Sequence, residues 1–234
     1  MLTTFLTHNE LDTISYTFQA AIVIDVLRAT STIVTALSNG ARFVIPVGKI
    51  EEAVDIKRIH PDLILSGERN GIKPQGFDLG NSPLEYSEEV VSGKGIILTT
   101  SNGTKAIQKA KKIAGNVYIA AFLNISYVVE QLSAYENIAI ICAGNESEVS
   151  YEDTQLAGFI ISKLTECKRY SLSDSSLIAL RTWEAIRRPD FSGTHSQKLI
   201  ELGFGRDVDF CQKIDVFPSV PICKGERIVR NLIK

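Results

Sequence analysis

The chain has 234 residues, of which 44% are hydrophobic and 22% are charged, and its formal net charge is -2. This composition is ordinary for a globular protein that can bury a sizeable core. The small net charge argues against a nucleic-acid partner, which would need a basic field, and no apolar stretch approaches the ~20 residues of a membrane span. We therefore expect neither a nucleic acid nor a membrane as partner, and an anionic ligand would need a local positive site.

The cysteines and the first residues predict a reduced, cytoplasmic protein. Four cysteines are scattered without CxxC spacing, which argues against a zinc site. The opening residues lack the basic start and apolar run of a signal peptide. Three histidines lie far apart in the chain, which excludes an HExxH metal site and argues against a histidine-based phosphatase. The sequence leaves a homo-oligomeric state open.

Apolar runs alternate with helical patterns along most of the chain. Strands are predicted at residues 20–26, 41–47, 63–67, 95–100, 116–122 and 137–144. Helices are predicted after them, at residues 30–39, 49–59, 83–91, 102–113, 125–132 and 150–164. The last third of the chain predicts helices at 173–187 and 194–202, a glycine turn at 203–205 and short closing strands.

This alternation predicts an α/β fold with a mostly parallel sheet, because buried parallel strands read as continuous apolar runs. We expect one domain spanning residues 1–234. Similar polar turns after several strands leave open two related halves, near residues 1–116 and 117–234. Ligands of open α/β sheets bind where the strands end, so these turns are the first place to look for a site.

The first such turn carries an acid and a base. Asp25 ends its strand and Arg28 follows three residues later. A strand-end carboxylate is a common nucleophile or metal ligand, with a helix cap or an ion pair with Arg28 as the alternative. The guanidinium fork of Arg28 suits phosphate or sulfonate, and a surface ion pair is its alternative. Thr30 and Ser31 offer hydroxyl donors that could equally cap the helix. The second Asp of a DxDxT motif is absent, so we reject the haloacid dehalogenase mechanism.

A second turn joins a strand to a helix through small and hydroxylated residues. Backbone N–H and hydroxyl groups in such a turn can cradle an oxyanion, and a plain capped helix is the alternative. The turn lacks the GxxxxGK[ST] pattern, so nucleotide binding is not implied. The candidate binding residues here are Thr100, Asn102, Gly103 and Thr104.

Further acids, in a long loop and at the start of a later helix, are candidates for a metal site. Glu68 opens a long loop that also holds Asp78 and Asn81, and long loops in compact α/β folds are often functional. Carboxylates near a phosphate suggest Mg²⁺, which prefers oxygen ligands. Surface charge is the alternative for both loop acids. Asp153, with Glu152 before it, opens a later helix, where an acid can bind metal or simply answer the helix dipole.

Five segments in order resemble the 2-phosphosulfolactate phosphatases. They are VIDVLRATSTI, SGERNGIKPQGFDLGNSP, LTTSNGTKA, CAG with SYEDTQLAG, and LGFGRDVDFCQKIDVFPSVP. The resemblance implies a three-layer α/β/α fold and a Mg²⁺-dependent phosphomonoesterase that converts 2-phospho-3-sulfolactate to 3-sulfolactate, a step of coenzyme M biosynthesis in methanogens. Residues 145–151 depart from the family pattern, because they lack its glycine and carry two acids. We expect substrate selectivity to differ if that loop touches the substrate.

Residues and resemblance together predict a Mg²⁺-dependent phosphatase for a small anionic 2-phospho acid. Asp25 and Glu68 are assigned to Mg²⁺, with Asp153 as a third ligand, and Asp25 and Arg28 are the catalytic candidates. Arg28, Thr30, Ser31, Asn81, Thr100, Asn102, Gly103 and Thr104 are assigned to the substrate. An attacking water is preferred over Asp25 because no second Asp is present to act as acid. The alternatives are another 2-phospho acid as substrate, or a non-catalytic anion-binding protein.

Overall fold

The computed structural model describes residues 1–146 and 148–231. These residues form nine strands of a single sheet: β1 (Leu2–Phe5), β2 (Phe18–Ile24), β3 (Phe43–Val47), β4 (Ile64–Gly67), β5 (Gly95–Thr99), β6 (Ala114–Ala120), β7 (Ile138–Cys142), β8 (Val220–Lys224) and β9 (Arg227–Asn231). Their α-helices are α1 (Ala29–Ser38), α2 (Ile50–Ile59), α3 (Glu88–Val91), α4 (Gly103–Ile113), α5 (Ile125–Leu132), α6 (Tyr151–Cys167), α7 (Asp174–Ile186), α8 (Thr194–Glu201) and α9 (Gly205–Cys211). Short 3-10 helices lie at His8–Thr13, Pro83–Glu85 and Phe122–Asn124.

The sheet consists of two parallel groups joined by an antiparallel hairpin. Its order is β1-β7-β2-β6-β8-β9-β3-β5-β4. Strands β1, β7, β2 and β6 pair in parallel, as do β3, β5 and β4, whereas β8 and β9 pair antiparallel with each other and with their outer neighbours. Because β6–β8, β8–β9 and β9–β3 are all antiparallel pairs, the strands of the second group run antiparallel to those of the first. The predicted mostly parallel sheet is confirmed.

Helices cover both faces, as the predicted three-layer α/β/α fold requires. One face of both groups packs on α1 and α4: Val23 of β2 and Leu98 of β5 share a core with Ile33 and Ile107. On the opposite face, α5, α6 and α7 cover the first group, and α2 covers the second. The sheet therefore curls around α1 and α4, which brings the loops of the two groups to the same place.

Local sequence explains most element ends. Helix α1 stops before Gly40, whose φ of +90° is open to glycine, and Ser150 caps α6 by accepting from the Asp153 N–H.

The predicted boundary near residue 116 falls inside β6. The single domain and its two related halves stay predictions. No helix in the described residues is long and apolar enough to cross a membrane.

Three elements differ from the sequence prediction. Strand β1 was not predicted, because its four residues are too few for a pattern and its pairing with β7 is long-range. The predicted helix at 83–91 divides into a 3-10 turn and α3. The predicted glycine turn at 203–205 instead leads into α9, whose Val208 and Cys211 are buried in the core. Tertiary packing outweighs the low helix propensity of glycine there.

Candidate active site

A cleft opens where loops of the two strand groups meet. It lies at the ends of β2, β4, β5 and β7, and α8 closes one side. Both acidic and basic side chains line the cleft. Among its lining residues are Asp25, Arg28, Glu68, Asn81, Asn102 and His195.

Asp25 lies at the cleft and also bonds the start of α1. It follows β2 directly, is only 8% exposed and lines the cleft. Its Oδ1 accepts from the Ala29 N–H at 3.3 Å, which caps α1. A Cβ at Gly103 would lie 2.4 Å from its Oδ2. Glycine is therefore required at the start of α4, because only a bare backbone leaves room for this carboxylate.

The electrostatic surroundings bring Asp25 close to titration at neutral pH. Burial raises the pKa of its carboxyl from 3.8 to about 6, against the attraction of His195 and with further repulsion from Glu68. Loss of hydration penalises the charged form more than the surrounding groups stabilise it. A positive charge placed in the cleft would restore full ionisation.

Glu68 is held rigidly at the opposite wall. It follows β4, and its carboxylate accepts from the N–H groups of Gly71 and Ser101 at 2.7 Å each. The Ser101 hydroxyl donates a third bond at 3.2 Å. These bonds join the long loop after β4 to the turn before α4. Glu68 thus connects the two loops and also places carboxylate oxygens, which can bind a cation, at the wall of the cleft.

The other loop acid, Asp78, lies outside this arrangement. Its Oδ2 accepts from the Leu65 N–H and from Lys57 Nζ, both at 2.9 Å, and its side chain is 47% exposed. Of the two readings left open for Asp78, the structure favours surface charge with a local structural role.

Asp153 lies behind the cleft lining. Its Oδ1 accepts from the Val26 N–H at 2.8 Å and its Oδ2 from the Gly144 N–H at 3.3 Å. Burial, followed by repulsion from Asp25 and Glu152, raises the pKa of this carboxyl. Asp153 therefore ties the end of β2 to the end of β7. Among the described residues, no group of three His, Cys, Asp or Glu side chains is arranged to hold a metal ion.

A different residue, Asn81, carries a third oxygen beside the cleft. The Oδ1 atom of Asn81 is buried and has no hydrogen-bond partner within residues 1–146 and 148–231, and Asn81 lines the cleft together with Asp25 and Glu68. An orphaned buried oxygen is costly unless something binds it. Two carboxylates and an amide oxygen form a donor set that suits Mg²⁺, which usually keeps several waters and takes one or two carboxylates.

Arg28 is neither a surface ion pair nor a partner of Asp25. It is 2% exposed, and its Nη1 donates to Asp207 Oδ2 at 2.6 Å. Its Nη2 donates to the Gly71 carbonyl at 2.7 Å, and its guanidinium lies 4.0 Å from the ring centroid of Phe204. Arg28 borders the cleft, but its fork is held mainly by protein groups. No local pattern indicates Asp207 as its partner, because the two residues are 179 positions apart in the chain.

Four predicted substrate-binding hydroxyls are already satisfied by the backbone. Thr30 and Ser31 donate to the carbonyls of Asp25 and Val26 at 2.8 Å. Thr100 and Thr104 bond each other's backbone N–H groups at 3.1 to 3.2 Å. All four are buried and none lines the cleft. The structure favours the capping alternative for them. Asn81 and Asn102 line the cleft, whereas Gly103 is not among the lining residues and packs against the Asp25 carboxylate.

His195 is the site residue that sequence reasoning missed. It lies on α8, lines the cleft, and its Nδ1 is 2.9 Å from Glu152 Oε1. Burial lowers its pKa, but the hydrogen bond and charge of Glu152 outweigh this and the net pKa is raised. No local motif surrounds His195. The sequence signal nearest to it is Glu152, the second acid in the first turn of α6. Because Glu152 is buried, its charge needs a partner, and that partner is His195.

Comparison with known proteins supplies the family. A model of the 2-phosphosulpholactate phosphatase family matches residues 5–226. The chain belongs to the 2-phosphosulfolactate phosphatase family. A protein of Thermotoga petrophila named probable 2-phosphosulfolactate phosphatase is 49% identical over 87% of this chain and 88% of its own length. One of Caldanaerobacter subterraneus with the same name is 41% identical over 96% and 95%. The predicted family and the prediction of a phosphatase are confirmed.

Proposed function

We propose that this phosphatase hydrolyses 2-phospho-3-sulfolactate to 3-sulfolactate and phosphate, with Mg²⁺ as cofactor. The observation that carries the proposal is the cleft in which the carboxylates of Asp25 and Glu68 face the start of α4. The substrate comes from the relatives, which are named probable 2-phosphosulfolactate phosphatase. A place in coenzyme M biosynthesis, a cytoplasmic location and a homo-oligomeric state stay predictions.

The donor set fits a magnesium ion. Asp25, Glu68 and the orphaned Oδ1 of Asn81 would hold it, and Asp153 would support Asp25 from behind by fixing the end of β2. When bound, Mg²⁺ supplies positive charge for the phosphoryl oxygens and for the developing charge of the leaving group. The buried carboxylates of Asp25, Glu68 and Asp153 lie near one another, so their negative charge also favours the binding of a cation.

The chain's own groups would position the reactants. The first turn of α4 presents a helix N-terminus beside Asp25, and such termini favour phosphoryl oxygens. Asp25 would orient a water opposite the ester oxygen by accepting its hydrogen bond. The water oxygen bonds to phosphorus, the P–O ester bond breaks, and the water protons stay with the product phosphate. Positioning and charge stabilisation supply most of the rate in phosphoryl transfer.

The rim of the cleft suits an anionic substrate. Lys198 lines it one turn after His195 and is 48% exposed. Its Nζ lies 3.2 Å from Glu146 Oε1, an exposed pairing that a stronger anion could displace. A substrate with phosphate, sulfonate and carboxylate groups needs such cations, because the net charge of the protein is -2.

A substrate panel tests the proposal. Phosphate release is measured for 2-phospho-3-sulfolactate, for 2-phospholactate, which lacks the sulfonate, and for p-nitrophenyl phosphate, each with Mg²⁺ and with EDTA. We expect the highest kcat/KM for the sulfonated substrate and no release in EDTA. A preference for 2-phospholactate would favour the alternative of another 2-phospho acid. Binding of the sulfonated substrate without release of phosphate from any of the three would favour an anion-binding protein.

A further inference from the structure

We propose that His195 protonates the leaving oxygen of the substrate and that Glu152 positions its ring. This inference rests on the proposed phosphatase reaction and adds the acid that the reaction still lacks. The leaving group of a 2-phospho acid is an alkoxide, a strong base that leaves slowly unless it receives a proton as the P–O bond breaks.

The hydrogen bond to Glu152 determines which ring nitrogen is available. Since Nδ1 of His195 holds Glu152 Oε1 at 2.9 Å, Nε2 is left on the opposite edge of the ring. Nε2 has no hydrogen-bond partner in the part of the chain that the structure describes, and His195 lines the cleft that Asp25 and Glu68 also line. The ring is therefore anchored at one nitrogen and free to donate from the other.

Burial of Glu152 favours a charged imidazole. The Glu152 side chain is 1% exposed, and its Oε2 is buried without a partner among the described residues. A buried carboxylate that lost its one cationic partner would be strongly destabilising. Glu152 thus holds a proton on His195, whereas Arg28 donates to Asp207 and to the Gly71 carbonyl.

The proton transfer balances in charge and atoms. As the P–O ester bond breaks, its electron pair goes to the ester oxygen, and this oxygen takes the proton from Nε2 to become the hydroxyl of the product. His195 becomes neutral, and phosphorus has gained the oxygen of water. The His195 side chain is 20% exposed, so the ring can recover a proton from solvent before the next turnover.

The test varies the leaving group, because an acid matters only where the leaving group needs a proton. In His195→Gln, we expect kcat on 2-phospho-3-sulfolactate to fall by ~10²-fold, within the range for general acids. Turnover of p-nitrophenyl phosphate should fall less than about fivefold, because nitrophenolate leaves without a proton. Glu152→Gln should show the same pattern at smaller amplitude, with KM nearly unchanged for both substrates. The exposed His60→Gln is the matched control and should match wild type.

The outcomes separate this inference from the proposed function. Equal losses on both substrates in His195→Gln would overturn the role of proton donor and leave the phosphatase proposal intact. Absence of turnover by the wild-type protein with Mg²⁺ would overturn both. If His195→Gln has an altered circular dichroism spectrum or a lower Tm, His195→Asn is measured in its place, since its amide can still donate to Glu152. A selective loss on the alkyl substrate in either folded variant supports the proposal.

Discussion

Two clusters of buried charge border the cleft, and they are neutralised in opposite ways. In the Arg28 cluster, one cation meets Asp207, whose other oxygen accepts from the Ser82 hydroxyl at 2.7 Å, and the ring of Phe204 covers the guanidinium. In the acidic cluster, Asp25 and Glu152 both repel Asp153, and the cation that faces Asp25 and Glu152 among the described residues is His195. The first cluster is complete within the protein, whereas the second has an excess of negative charge.

This difference separates structure from chemistry. A charge that is fully paired and hydrogen-bonded joins segments: Arg28 connects the loop after β4, through Gly71, to α9, through Asp207. Burial raises the pKa of Asp25 and of Asp153, so binding of a ligand or a proton can change the charge of these carboxylates. We expect substitutions in the Arg28 cluster to act mainly on stability and substitutions in the acidic cluster mainly on rate.

The largest expected effect is on the rate of the Asp25→Asn variant. We expect kcat to fall by at least ~10²-fold, because the substitution removes the charge that orients water and holds the cation. Phosphate release at saturating substrate and Mg²⁺ measures it. The control is Asp62→Asn, since Asp62 has a side chain that is 69% exposed and lies outside the cleft. A folded Asp25→Asn protein with near-normal kcat would reduce Asp25 to the cap of α1.

The second effect is on stability, in the other cluster. Asp207→Asn leaves the buried guanidinium of Arg28 without a counter-charge, and removing one partner of a buried pair costs about 3 kcal/mol. Urea denaturation of the variant should show a lower midpoint with an unchanged slope. Asp209→Asn, two residues later in α9, is the matched control. An unchanged midpoint for Asp207→Asn would mean that the Phe204 ring and the Gly71 carbonyl suffice to hold the charge.

A third effect concerns the acidic cluster and depends on pH. The folded pKa of Asp25, about 6, lies above the ordinary aspartate pKa of 3.8. The folded state thus binds the proton more tightly, and stability falls as pH rises between these values. His195, Glu68 and Glu152 face this carboxyl and contribute to its pKa. In EDTA, Asp25→Asn should therefore be more stable than wild type by on the order of 2 kcal/mol at about pH 8.

At about pH 3, below both pKa values, the same comparison should give nearly no difference, because the folded and unfolded states of the wild-type protein are then both largely protonated at Asp25. Thermal denaturation of both proteins at the two pH values in EDTA measures the change. A gain of equal size at both pH values would indicate that packing, rather than the buried charge, is responsible. A variant that loses rate while gaining stability would show that the acidic cluster is maintained for chemistry.

Local signals predicted the elements better than the site. Helix α5 was predicted with both of its ends, at Ile125 and Leu132, and the turn after β2 was chosen correctly as part of the cleft. These features depend on hydrophobic period, caps and strand ends, which neighbouring residues determine. The same signals placed Asp25 and Glu68 at strand ends.

The rest depended on long-range contacts. The curl of the sheet, which brings Glu68 to the cleft that contains Asp25, follows from a strand order that no local pattern encodes. His195 meets Glu152 across 43 residues, and Arg28 meets Asp207 across 179. Hydroxyls such as those of Thr30 and Ser31 have the composition of a binding turn, and only the fold shows that backbone carbonyls already engage them.

The smallest expected effect is that of an exposed ion pair at the rim of the cleft, outside both buried clusters. Lys198 and Glu146 are exposed by 48% and 64%, so their charges act through solvent and are screened by salt. Lys198→Gln should raise KM for the sulfonated substrate about threefold and leave kcat nearly unchanged, while Glu146→Gln should lower KM by a similar factor. Both changes should disappear at about 1 M salt, where the Debye length is ~3 Å. Lys163→Gln, on α6 outside the cleft, controls for loss of one positive charge. A fall in kcat that persists in salt would instead place Lys198 in contact with the reacting groups, and the excess negative charge of the acidic cluster would then have a second cation within the protein.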